Sequence, residues 1–468
     1  MKLALPKGRL LGDTAALLQR VGLGLLDYDQ GSRSYRPKST TFADLFLKVF
    51  QEKDIPIQVA IGNYDLGICG LDWVEELLVK YPSGDLVKVG DLGYGKSDLY
   101  LVASRYAGVS SVGEIEGGFD IVRIVSEYLN LAESLALRLR LRRFKILPLW
   151  GAAEVYPPES ADLAIIAGTS VDRLADHDLV PLARILTSRA FLIANRKSLA
   201  KADMSILLSH LSPSEVEMEK ESPLPAIIGG VFEKEAGDEK MVRLALADGH
   251  QQRPTMEFFK KAGLNIAGYS EALETRRPTL GLKGVAVKVI RPQDMPLQVA
   301  NGNFDLAITG KDWLRDQLYR FPSSPVEEIL DLGFGRVTIV AVVSEDLPVD
   351  NVAELRDLVR GGLLPTIRVA SEYVNIADKY ARDKHLERYK IIPTWGASEA
   401  FLPEDADLLI ENTETGQTLT KHKLKVIDTL FESSACLIGN RNALSDPLKK
   451  DRIKHIIKIM EGRAKAGF

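Results

Sequence analysis

One run of residues carries the chemistry of a phosphate loop. The apolar segment Asp407-Leu-Leu-Ile410 leads into Glu411-Asn-Thr-Glu-Thr-Gly-Gln-Thr-Leu419. Gly416 lets the backbone approach a phosphate, and backbone N–H groups with Thr413, Thr415 and Thr418 supply donors. Glu411 and Glu414 suit ribose hydroxyls or a metal ion. A helix start capped by threonine has the same composition, so both readings stand on the residues alone. A second candidate opens the chain, where Lys7-Gly8-Arg9 follows a short strand-like run. Two cations flanking a glycine suit a polyphosphate, although an ordinary basic loop reads the same way. Arg276, Arg277, Arg291 and Lys311 are further cations, each by itself as readily a solvated surface residue. The six histidines are scattered without metal-ligand spacing. No Ser-His-Asp order and no Gly-x-Ser-x-Gly is present, and Cys69 and Cys436 suggest no nucleophile.

These residues sit in a duplicated framework. Residues 54–82 and 294–322 are identical at about half their positions, an internal repeat at an offset of 240. Asp91-Leu-Gly-Tyr-Gly returns as Asp331-Leu-Gly-Phe-Gly. Ser126-Glu-Tyr-Leu-Asn returns as Ser371-Glu-Tyr-Val-Asn, and Trp150-Gly-Ala as Trp395-Gly-Ala. The period is too long for a solenoid, so the chain reads as two copies, 1–205 and 241–468. They are joined by a Pro-, Gly- and charge-rich linker over 206–240. Within each copy strands and helices alternate: strands over 3–5, 99–103 and 121–124 and helices over 14–21 and from Asp72, with counterparts in the second copy. Helices are expected to begin at Glu127 and Glu372. This alternation predicts α/β units with mainly parallel sheets, each large enough to form two lobes around a cleft. Trp73, Trp150, Trp313 and Trp395 occupy matched positions and read as core.

The copies differ where chemistry is concerned. In the first copy, 166–174 put Ile166, Val171 and Arg173 where the second has Glu411, Gly416 and Thr418. A β-branched residue at the glycine position disables such a loop. Conversely, the second copy has Asp248-Gly249-His250 where the first has Lys7-Gly8-Arg9. Arg291 aligns with Gln51 and Lys311 with Leu71. Arg276 and Arg277 precede Pro278 as Arg33 and Arg36 precede Pro37.

The chain has 468 residues, 46% hydrophobic and 26% charged, with a net charge of −4. This is ordinary globular usage and excludes disorder and a collagen-like repeat. The charge balance argues against nucleic acid as the main partner, and no apolar stretch is long enough to span a bilayer. Two distant cysteines fit a reducing, cytoplasmic compartment better than a disulfide scaffold.

Taken in order, Leu-Pro-Lys-Gly-Arg, Asp-Leu-Ala-Ile-Thr-Gly-Lys-Asp, Asp-Leu-Gly-Phe-Gly-Arg, Arg-Val-Ala-Ser-Glu-Tyr and the Thr-Gly-x-Thr loop resemble the catalytic subunit of ATP phosphoribosyltransferase. The resemblance runs through both copies, as two short forms in tandem. It implies a bilobed fold like type II periplasmic binding proteins. It also implies transfer of a phosphoribosyl group from phosphoribosyl diphosphate to ATP with Mg²⁺, the first step of histidine biosynthesis. A separate partner resembling histidyl-tRNA synthetase and an oligomer or intrachain pseudo-dimer are implied as well. By position, the ribose 5-phosphate loop maps to Glu411, Thr413, Glu414, Thr415, Gly416, Gln417 and Thr418, and the nucleotide contacts to Lys7, Gly8 and Arg9. The arginines of the shared site map to Arg276 or Arg277 and Arg291. A non-catalytic ligand-binding or regulatory paralogue is the alternative, since both copies carry losses.

Overall fold

The computed structural model describes residues 1–32, 34–82, 84–168, 172–201, 204–211, 240–270 and 275–465. They form two compact units. The first comprises the described residues of Met1–Leu149, Tyr156–Lys234 and Trp395–Ala400, the second Trp150–Val155 and the described residues of Glu235–Thr394 and Phe401–Phe468. Two six-residue stretches therefore depart from the sequence boundaries: 150–155 cluster with the second unit and 395–400 with the first. The expected linker over 206–240 also starts later, because the helix Ser205–Leu211 buries Leu207 and Leu211 in the first unit's core. The rest of that linker, 212–239, lies outside the described residues, as do Arg33 and Thr169–Val171 of the first copy's loop.

Each unit is bilobed, with one five-stranded sheet per lobe. In the first unit the long strands are β1 (Lys2–Lys7), β2 (Phe46–Gln51), β3 (Leu66–Gly70), β4 (Leu86–Asp91), β5 (Ser97–Ser104), β6 (Val122–Ser126), β7 (Phe144–Pro148), β8 (Leu163–Gly168), β9 (Leu179–Ser188) and β10 (Ala190–Asn195). Their orders are β2-β1-β3-β10-β4 and β9-β5-β8-β6-β7. In each sheet four strands run one way, and only β10 or β5 opposes its neighbours. The chain thus crosses to the second lobe between β4 and β5 and returns between β9 and β10.

The second unit repeats this plan with β11 (Val242–Ala247), β12 (Val285–Ile290), β13 (Leu306–Gly310), β14 (Val326–Asp331), β15 (Val337–Ser344), β16 (Ile367–Ser371), β17 (Tyr389–Pro393), β18 (Leu408–Thr413), β19 (Leu424–Ser433) and β20 (Ala435–Asn440). The expected α/β class with mainly parallel sheets is the observed one.

Every sheet has its own core. Leu3, Leu5, Leu66, Ile68 and Leu192 fill the first, and Leu244, Leu246, Leu306, Ile308 and Leu437 its counterpart. Leu99, Leu101, Ile124 and Leu163 fill the second lobe, matched by Ile339, Ala341, Val369 and Leu408. Among the described residues no helix is long and apolar enough to cross a membrane.

Two expectations need correction. The helices expected at Glu127 and Glu372 begin at Leu129 and Val374. The Ser126 and Ser371 hydroxyls accept from the Tyr128 and Tyr373 N–H groups at 2.8 and 2.9 Å, which holds both tyrosines in a non-helical turn. The four matched tryptophans are half-buried rather than core. Trp73 stacks on Tyr128 at 4.4 Å and Trp313 lies against Tyr373 at 4.3 Å, each partner being fixed by a hydrogen bond described below.

Close packing at the end of the third strand fixes the helix that follows. A Cβ on Gly310 would overlap the buried Asp312 carboxylate, and one on Gly70 would overlap Asp72 and Arg9. For Asp312 to retreat it would have to give up hydrogen bonds made to its buried carboxylate. Gly310→Ala is expected to lower unfolding free energy by about 1–3 kcal/mol in urea titrations. Unchanged stability would show that the carboxylate moves freely.

Candidate active site

In the second unit, parallel β11, β12 and β13 end on one edge of their sheet, Ala247 opposite Ile290. The next residues, Asp248, Arg291 and Lys311, therefore emerge together, at the carboxyl edge where α/β sheets bind ligands. Asp248 is buried and accepts from Arg276 Nη1 at 2.8 Å and from Arg291 Nη1 at 3.4 Å. Arg276 Nε also meets Glu154 at 2.8 Å. Arg277 donates instead to the Val155 carbonyl at 3.4 Å. Lys311 Nζ lies 2.8 Å from Asp331 and 2.9 Å from Glu328. Burial alone would lower its pKa, but hydrogen bonds to the two carboxylates outweigh that and hold it above the ordinary lysine value.

The other lobe presents the loop. β18 ends at Thr413, and Gly416, at φ +73°, caps the short helix Gln417–Lys421. The Gly416 N–H donates to Thr413 Oγ1 at 3.0 Å, which folds the loop on itself. Glu414, Thr415, Gln417 and Thr418 are exposed, and Glu411 and Thr413 half-buried. The first N–H groups of any helix lack an intrahelical acceptor, so the loop presents donors beside exposed hydroxyls.

A buried carboxylate joins the lobes. Tyr373 Oη donates to Asp312 Oδ2 at 2.7 Å, and Asn412 Nδ2 donates to Tyr373 Oη at 3.0 Å and to Glu411 Oε1 at 3.0 Å. The Asp312 N–H donates to Ser433 Oγ at 3.0 Å. Burial raises the Asp312 pKa despite these hydrogen bonds. Asp316 reinforces the junction by accepting from the Asn375 and Ile376 N–H groups, both at 2.9 Å.

The first unit keeps the junction but differs at the rim. Tyr128 Oη donates to Asp72 at 2.8 Å, and Glu76 accepts from the Asn130 and Leu131 N–H groups. Arg9 adds a cation that Asp312 lacks among the described residues, lying 2.9 Å from Asp72 and 3.1 Å from Glu52. Lys7 Nζ donates to Tyr35 Oη at 3.0 Å, and Tyr35 Oη donates to Glu399 at 3.1 Å. Gly8 has φ +88°, with open space around a would-be Cβ. Ile166 and Ala167 stand where the second unit has Glu411 and Asn412, so among the described residues this strand end offers no side-chain donor toward Tyr128.

The sequence-predicted residues therefore fall into separate groups. Arg276 and Arg291 meet at Asp248, Lys311 sits apart on its own carboxylates, and the loop residues are contiguous. Lys7, Gly8 and Arg9 occupy the corresponding edge of the first unit. Sequence reasoning gave no role to Asp72, Asp312, Tyr128 or Tyr373, although their recurrence in both copies was visible. It also passed over Glu52, Tyr35, Glu154 and Glu399. Among the described residues, no group of three or more His, Cys, Asp or Glu is arranged to hold a metal ion. Both cysteines are buried free thiols.

The family described as HisG: ATP phosphoribosyltransferase matches residues 51–212 and 291–462. The chain is 30% identical over 232 residues to an ATP phosphoribosyltransferase of Prosthecochloris aestuarii, covering 48% of this chain and 73% of that protein. It is 35% identical over 217 residues to an ATP phosphoribosyltransferase of Saccharolobus solfataricus, covering 46% and 69%. Among solved structures, it is similar to a chain of the ATP phosphoribosyl transferase (HisG:HisZ) complex from Thermotoga maritima. That match has a TM-score of 0.39 and 18% identity, covering 48% of this chain and all of that one.

Glu52 supplies a pH test. Burial pushes its carboxyl up to about 7, partly countered by Arg9 and reinforced by Asp72. Because the folded pKa lies above the unfolded value, its stabilising contribution is complete below about pH 4.5 and is lost as pH rises through 7. Glu52→Gln is therefore expected to unfold at higher urea than wild type at pH 8, by on the order of 1–3 kcal/mol, with the gain vanishing near pH 4.5. A gain that is the same at both pH values would contradict the assignment.

Proposed function

The chain belongs to the ATP phosphoribosyltransferase family, and on that premise we propose that it joins ATP to phosphoribosyl diphosphate. The products are phosphoribosyl-ATP and pyrophosphate, in the first step of histidine biosynthesis. The observation that carries this reading is the intact loop of the second unit, with Gly416 in the left-handed conformation only a glycine adopts readily.

In this reading, Glu411 and Thr413–Thr418 hold the ribose 5-phosphate and ribose hydroxyls of the donor. Lys7, Gly8 and Arg9 contact the nucleotide. Arg276, Arg277, Arg291 and Lys311 are the cations for the diphosphate end. A ring nitrogen of adenine attacks the anomeric carbon as pyrophosphate leaves, so positive charge grows on the ribose and negative charge on the leaving group. The rate then comes from positioning and electrostatics rather than from acid–base chemistry. Mg²⁺, held through substrate phosphates with Glu411 or Glu414 as neighbouring carboxylates, would neutralise the leaving diphosphate. A cytoplasmic setting and a separate histidyl-tRNA-synthetase-like partner complete the reading.

One observation favours the second reading, a non-catalytic ligand-binding or regulatory paralogue. Arg276, Arg291 and Lys311 are already bound to carboxylates of their own unit. Pyrophosphate release from ATP plus phosphoribosyl diphosphate, with and without the synthetase-like partner, separates the two. Release is expected, and Gly416→Val is expected to lower it at least about 100-fold, because a β-branched residue resists this φ. Full activity in that variant would remove the loop from the site, and no release from the wild type under either condition would favour the paralogue.

A further inference from the structure

The two units match position by position at the rim of the first lobe. Lys7 and Asp248 each follow the body of the first strand. Tyr35 and Arg276 are equivalent in backbone, since the carbonyl of each accepts an N–H from the neighbouring strand, Val49 and Val289, at 2.9 Å. This makes Tyr35, rather than Arg33, the counterpart of Arg276. Gln51 pairs with Lys7 across the parallel strands, and Arg291 follows Ile290 at the same place beside Asp248. Glu399 and Glu154 are the matching acids beside Tyr35 and Arg276. The charges, however, are transposed. The first unit runs lysine, tyrosine, glutamate, with glutamine alongside. The second runs aspartate, arginine, glutamate, with arginine alongside.

The backbone does not account for the difference. Gly8 and Gly249 both have positive φ, at +88° and +69°, and both leave open space where a Cβ would stand. Only the charge differs. Lys7 meets neutral groups, the Tyr35 hydroxyl at 3.0 Å and its ring at 4.7 Å. Neither contact sets a counter-charge against the ammonium. In the second unit the same place is a buried carboxylate, and Arg276 lies between two carboxylates. His250, where the first unit has Arg9, is exposed.

We infer that the chain binds one nucleotide polyphosphate, at Lys7-Gly8 of the first unit, and that Asp248 closes the equivalent position of the second. A phosphate entering there would face a like charge and would have to displace a carboxylate already bonded to both arginines. The inference rests on the nucleotide reading of Lys7-Gly8-Arg9.

Calorimetric titration of MgATP into the full chain, without phosphoribosyl donor, tests it. One site per chain is expected. Lys7→Asp, which copies the second unit, is expected to weaken that site by about 10- to 100-fold, the worth of a charge-assisted contact. Lys7→Ala serves as the milder variant. Asp248→Asn, nearly isosteric, and Asp248→Lys are each expected to add a second, weaker site while melting cooperatively. Two sites in the wild type overturn the inference and leave the nucleotide reading intact. A single unchanged site in both folded Asp248 variants also overturns it. A wild-type chain that binds no MgATP removes the nucleotide reading itself, and the inference with it.

Discussion

Each unit is organised around one buried carboxylate, Asp72 in the first and Asp312 in the second. A charged group out of water is costly unless its hydrogen bonds are made. Here they come from both lobes: a tyrosine hydroxyl from the second-lobe turn in each unit, joined by the Ser188 hydroxyl in the first unit and by the Trp313 N–H in the second. Satisfying the carboxylate thus requires the two sheets to meet at one spacing. The glycine that ends the third strand has no room for a side chain because that carboxylate lies over it. In the second unit Asn412 extends the chain of hydrogen bonds to Glu411, so the start of the Glu411–Leu419 loop takes its position from the same group.

Duplication kept this interior and let the rim diverge. The strand residues that fill the cores recur in both units, while the charges at the strand ends are transposed and the Glu411–Leu419 loop sequence keeps its glycine in one copy only. Strand ends tolerate such change because a side chain beyond the last core residue can be replaced without leaving a cavity. Arg9 illustrates the consequence. It neutralises Asp72 in the first unit, whereas Asp312 depends on hydroxyl and N–H donors among the described residues and has its pKa raised by burial.

Much of this was legible in the sequence, because the repeat doubled every signal. Alternating strands and helices, the loop after Ile410 and the loss of its glycine in the first copy all follow from residue type and spacing. What stayed hidden depends on contacts distant along the chain. Tyr373 and Asp312 are 61 residues apart, and nothing local to either announces their pairing. The late starts of the helices at Leu129 and Val374 come from a serine hydroxyl competing for a backbone N–H, which hydrophobic spacing does not reveal. Of the four tryptophans whose matched positions read as core, Trp73 and Trp313 instead lie half-buried against the tyrosines at the lobe junction.

The central claim is that only the second copy holds the phosphoribosyl donor. A crystal structure of the full chain soaked with Mg²⁺ and phosphoribosyl diphosphate tests it most directly. The account predicts 5-phosphate density against Thr413–Thr418 and none against 166–174. Density at both loops, or at the first copy's loop alone, would contradict it.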